Sequence, residues 1–124
     1  MLTMQHRLRH DQDIARTLRA KLSVFDDACG AKVTPNKQKH SRFAVVVGTK
    51  VSKSAVVRNR VRRQYREIIR LFLPRILPGY DVLLLTSKLA IDLDYHEKES
   101  RLLRVLTKAK LLRPDSAVPK NIVV

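Results

Sequence analysis

Residues 54–70 read SAVVRNRVRRQYREIIR. At 100° per residue, Val57, Val61, Tyr65, Ile68, Ile69 and Phe72 fall on one flank of a helix, and Arg58, Asn59, Arg62, Arg63, Arg66 and Arg70 fall roughly opposite. The stretch holds six arginines, one acid and no Gly or Pro. One face calls for a core and the other for anions.

Ser54 stands before the run as an N-cap, Arg, Gln and Glu are good helix formers, and Pro74 and Pro78 end the helix near Leu73. Within the helix only Glu67 offers an opposite charge, to Arg63 four residues earlier. A solvated helix face normally mixes signs, and arginines crowded like these repel one another unless something negative is bound. The planar guanidinium fork matches phosphate oxygens, and Asn59 adds an amide able to reach a sugar or base edge. The pattern therefore points to a phosphate-binding face.

Composition points the same way. The 124 residues suit one domain with a modest core, and 26 Lys plus Arg against 11 Asp plus Glu leave a net charge of +15. Such a field favours a polyanionic partner. The arginines interleave with a core-type stripe and have no bulky apolar tip beside them, so nucleic acid is favoured over a membrane surface. No apolar run approaches the ~20 residues of a bilayer span, and the first eight residues lack the apolar region of a signal peptide; a cytoplasmic location is expected. Cys29 is alone, which excludes an internal disulfide and a multi-cysteine zinc site, and the four histidines, His6, His10, His40 and His96, have no ligand spacing.

Around the arginine stretch the chain divides readily. Asp11 to Lys21 reads as a short helix with Ile14 and Leu18 on one stripe. Leu22 to Phe25 is a brief strand, and alternation of Cys29, Ala31 and Val33 marks a second. TPNKQKHS (34–41) is a loop, and FAVVV (43–47) is the clearest strand. Thr49 to Lys53 turns into the arginine helix, placing Lys50 and Lys53 near its N-terminus, where backbone amides favour anions. YDVLLLT (80–86) reads as a strand covered on both faces. Leu89 to Leu93 reads as an extension or loop. Tyr95 to Lys110 is a second long helix, with Leu102, Leu103, Val105, Leu106 and Ala109 inside and Lys98, Arg101, Arg104 and Lys108 outside. Residues 1–113 form the domain, and 114–124 are expected to be a flexible tail. The elements run αβββαβα, an α+β chain whose βαβ step brings 43–47 and 80–86 together as parallel neighbours in a two-layer α/β sandwich.

The run SAVVRNRVRRQYRE, with Lys50, Lys53 and FAVVVG before it, resembles the signature of the bacterial ribonuclease P protein subunit, matching over Ala55 to Glu67. Weaker similarity extends from Arg7 to about Leu112. The resemblance implies a ribosomal-protein-like fold with a left-handed βαβ crossover, where the general rule for such crossovers is right-handed. It implies a cofactor for a catalytic RNA that holds magnesium itself and removes the 5′ leader of precursor tRNA, with a protein that is monomeric apart from its RNA. Carried over residue by residue, Lys50, Lys53, Arg58, Asn59, Arg60, Arg62, Arg63, Arg66 and Arg70 form the RNA-facing set, and a cleft between the basic helix and the sheet holds the leader, with Arg60 near its edge. Ile14, Leu18 and Lys32 take the cleft positions where family members tend to carry aromatic rings. Thr49 and Lys50 stand where the family usually shows a Lys-Lys pair. With 5% aromatic residues, leader binding is expected to rely on charge more than stacking, and to depend steeply on salt.

Other readings explain less. A ribosomal or ribosome-assembly RNA-binding protein accounts for charge and fold but not the ordered Arg-Asn-Arg pattern. A DNA-compacting protein would show dimer-forming apolar faces and an extended basic arm. A stand-alone nuclease needs clustered carboxylates. Asp92, Asp94, Glu97 and Glu99 lie close in sequence, but at a helix start, where acids are expected from the dipole.

Overall fold

The computed structural model describes residues 4–113; the expected tail, 114–124, lies outside them. Helix α1 (Asp11–Leu18) is followed by strands β1 (Leu22–Phe25), β2 (Cys29–Pro35) and β3 (Arg42–Val46), helix α2 (Ala55–Phe72), strand β4 (Tyr80–Thr86), a short helix α3 (Leu89–Asp92) and helix α4 (Tyr95–Lys108). The sheet order is β1-β2-β4-β3, antiparallel except for the β3/β4 pair. The outer edge of β3 is met by the N-terminal segment, where the Leu8 amide donates to the Phe43 carbonyl at 2.8 Å.

Helix α2 starts where Ser54 caps it, its Oγ accepting from the Val57 amide. Its stripe of Val61, Tyr65, Ile68 and Ile69 is buried against Phe43, Val45, Val82 and Leu84 of the sheet. Each of these side chains contributes about 1.5–3 kcal/mol on burial. α4 lies beside α2 on the same face, closing the core with Leu102, Val105 and Leu106. After α4 the chain returns to pair with the segment following α2: the Leu77 amide donates to Leu111 and the Arg113 amide to Arg75, both at 2.7 Å.

Several expectations need correction. α1 ends at Leu18 rather than Lys21, because β1 begins at Leu22 and the intervening residues must turn the chain. Leu89 to Leu93 is largely a turn of helix, not an extension or loop. Leu103 is only half-buried. Lys98, expected outside, is 2% exposed, and its ammonium donates to Gln64 Oε1 at 2.7 Å and to the Leu93 carbonyl at 2.8 Å. Lys98 stands four residues before Leu102, so helical spacing puts it on the inner stripe, and its charge survives there only because α2 and the preceding turn supply acceptors.

The other face of the sheet carries α1, held by a polar clamp. Asp81 on β4 is fully buried and accepts from Arg42 on β3 at 2.7 and 2.8 Å, from Arg16 on α1 at 2.7 Å, and from Asn36 at 2.9 Å. Asp13 on α1 adds a 3.3 Å ion pair to Arg42. Burial pushes the Asp81 carboxyl up, but hydrogen bonds from Arg42, Asn36 and Arg16 outweigh it and hold the pKa below the ordinary aspartate value. The stabilisation is present above the unfolded pKa of 3.8 and drains away as pH falls through the lower folded value. Asp81→Ala is expected to cost roughly 3 kcal/mol in urea unfolding, since it leaves buried donors unpaired. The variant should also lack part of the wild-type loss of stability below pH 3.8. Equal acid sensitivity in both proteins would contradict this account of the clamp.

Candidate nucleic-acid interface

Parallel pairing of β3 and β4 puts the loops that leave their carboxyl ends side by side, the place where α/β sheets commonly receive ligands. The first of these loops is fixed by Val51, which is buried, and by the Val51 amide donating to Gly48 at 3.0 Å. With Val51 anchored inward, Lys50 and Lys53 are left exposed. A cavity of about 780 Å³ is lined by Thr49, Lys50, Val51, Ser52, Lys53 and Lys88. Lys88, on the loop after β4, was not among the expected residues. The parallel neighbourhood of the two strands was the signal that could have found it.

The outer face of α2 continues from this loop. Arg58 donates to the Ser52 carbonyl at 2.9 Å, bracing the helix start against the turn, and Arg62 donates to Asn59 Oδ1 at 2.6 Å. Asn59, Arg62, Arg63, Arg66 and Glu67 line a groove of about 310 Å³. The Arg66 guanidinium has its pKa lowered, first by partial desolvation and then by the charges of Arg62 and Arg7. The smaller part of that shift comes from like charges crowded along the helix. Glu67 was expected to pair with Arg63; its carboxylate instead accepts from Arg70 at 2.6–3.2 Å. The acid preceding the base along a helix is the better orientation, since it agrees with the dipole. Arg63 is thereby left exposed on the groove, while Arg70 is drawn into an ion pair.

Between α2 and the sheet, where a cleft was expected, the α2 stripe packs into the core with Phe43, Val45, Val82 and Leu84. Leu18 and Lys32 meet on the opposite face, which α1 covers: Lys32 Nζ donates to the Leu18 carbonyl at 2.9 Å, and Ile14 lies one turn earlier on α1. Leu18 is 46% exposed there. Arg60 is exposed on the α4 side of α2, close enough to Lys98 to lower its pKa after desolvation.

The acids at the start of α4 have structural work: Asp94 caps the helix, accepting from the Glu97 amide at 2.8 Å. Among the described residues no group of three or more His, Cys, Asp or Glu side chains gathers that could hold a metal ion. No helix among them is long and apolar enough to cross a membrane. Burial, the largest influence on it, raises the pKa of the Cys29 thiol to about 11, making it a core residue rather than a nucleophile.

Comparison with known proteins supplies the family. A family model described as ribonuclease P matches residues 2–110. The ribonuclease P protein component of Microcystis aeruginosa is 34% identical over 116 residues, 86% of this chain and 92% of that protein. That of a Cyanothece species is 38% identical over 77 residues, 62% of this chain but only 59% of the relative. Among solved structures, the RNase P protein of Staphylococcus aureus superposes with a TM-score of 0.79 at 25% identity, covering 87% of this chain and 98% of that one. With a basic helix of this pattern on a sheet of this topology, the chain belongs to the ribonuclease P family.

Proposed function

We propose that the chain is the protein subunit of a cytoplasmic ribonuclease P ribonucleoprotein, binding the catalytic RNA through α2 and the Lys50 to Lys53 turn and holding the 5′ leader of precursor tRNA on the α1 side of the sheet. The observation that carries this reading is the groove on the outer face of α2, which gathers Asn59, Arg62, Arg63 and Arg66 around a single acid, Glu67, itself paired with Arg70. In this reading bond cleavage belongs to the RNA, which also holds the magnesium ions. The protein contributes positive charge and shape, positioning one RNA against another without a reacting group of its own. It acts as a single copy beside the RNA.

Arg58, Arg62 and Arg66 all point away from the buried stripe, so replacing the three together with alanine should leave the circular-dichroism helix signal intact. Affinity for catalytic RNA should fall, and the slope of log affinity against log salt should decrease by about 1 for every phosphate no longer neutralised. Disappearance of the helix signal would mean that these side chains support the fold instead. Activity is tested by cleavage of a precursor tRNA at low magnesium. The protein should restore cutting at the mature 5′ end by its cognate ribonuclease P RNA and do nothing without that RNA. Cleavage by the protein alone, or no effect with RNA, would refute the proposal.

A further inference from the structure

The cavity at the carboxyl ends of β3 and β4 takes Lys50 and Lys53 from one loop and Lys88 from another. Val51 anchors the first loop in the core. Lys88 is exposed and stands immediately before α3, and a helix of four residues has almost no stability of its own. Ala90 and part of Ile91 seat that helix on the core. Such apolar contacts are not directional, so the orientation of α3 depends on the hydrogen bonds at its two ends.

At the first end the Ser87 amide donates to the Ala28 carbonyl at 3.0 Å, tying the loop to the β1–β2 turn. At the far end the tie is Lys98. Its ammonium donates at 2.8 Å to the carbonyl of Leu93, the residue that closes α3, and at 2.7 Å to Gln64 Oε1 on α2. Three helices thus meet at one nitrogen. Lys98 itself is buried and lines no part of the cavity. Desolvation disfavours an ammonium there, and Arg60 adds a repulsion that Asp94 opposes. A methionine or leucine at 98 would extend the stripe of Leu102, Val105 and Leu106 without that cost, so packing does not account for the charge. What the ammonium supplies is direction: its two hydrogen bonds fix α3 against α2, whose N-terminus adjoins Lys53.

We propose that Lys98 is a positioning residue for RNA binding: by joining the end of α3 to Gln64, it holds Lys88 in the cavity with Lys50 and Lys53, so that the three cations meet an RNA backbone together. The proposal rests on the ribonuclease P reading and deepens it. A buried side chain that the RNA does not touch sets how many phosphates the cavity neutralises.

A double-mutant cycle on the full chain tests this, with affinity for the cognate ribonuclease P RNA measured across a salt series. In wild type, Lys88→Ala and Lys50→Ala should each reduce the slope of log affinity against log salt by about 1. Lys98→Met, which keeps an unbranched apolar chain without the ammonium, should alone lower the slope by about 1. In that background Lys88→Ala should change nothing further, whereas Lys50→Ala should still have its full effect. Gln64→Leu, which cuts only the tie to α2, should likewise cancel the Lys88 contribution, and Gln64→Glu, which keeps an acceptor, should retain it. If Lys98→Met does not fold, the Gln64 pair carries the test. An undiminished effect of Lys88→Ala in Lys98→Met or Gln64→Leu would overturn the positioning role, even with stability to urea reduced. So would an equal loss of the Lys50 and Lys88 contributions, which marks general loosening, or a Lys88→Ala without effect in wild type. Failure of the ribonuclease P reading shows separately, as absence of stimulated precursor tRNA cleavage by wild-type protein.

Discussion

One helix carries two incompatible demands, and their resolution organises the molecule. Val61, Tyr65, Ile68 and Ile69 must leave water, and at 3.6 residues per turn their burial forces Arg62, Arg63 and Arg66 to the surface together. The apolar contribution holds the cations at a density that repulsion alone would disperse. Burial of the stripe thereby holds like charges together, and the charges of Arg62 and Arg7 add to desolvation in lowering the pKa of Arg66. A polyanion that relieves the repulsion binds the arrangement that the core has already prepared, with little further ordering.

The opposite side of the sheet is governed by a different interaction. Asp81 draws Arg16 and Arg42 inward, so two of the chain's many cations are used to dock α1. The exit loops of β3 and β4 meet at one edge of the sheet, since parallel strands deliver both to the same end.

Much of this was legible from residues. The α2 period, the Ser54 cap and the apolar run of β4 gave the βαβ unit, because each is a local signal that tertiary structure reinforces. What was missed depends on neighbours far away in sequence. Lys98 is buried because Gln64 on another helix accepts a hydrogen bond from its ammonium, although its spacing to Leu102 already hinted at the inner stripe. Lys88 joins Lys50 and Lys53 only through strand pairing. The Arg63 to Glu67 pair failed because orientation along the helix favours Arg70. The hand of the crossover has no signature in residue pattern.

The central claim is that the outward face of α2 is the surface that meets catalytic RNA. Arginine modification by phenylglyoxal, read by mass spectrometry with and without the RNA, tests it directly. Arg62, Arg63 and Arg66 should lose reactivity when RNA is added, while Arg104, exposed on the outer side of α4, should keep it. Protection of Arg104 with undiminished reactivity along α2 would place the RNA on the wrong helix for this account and contradict it.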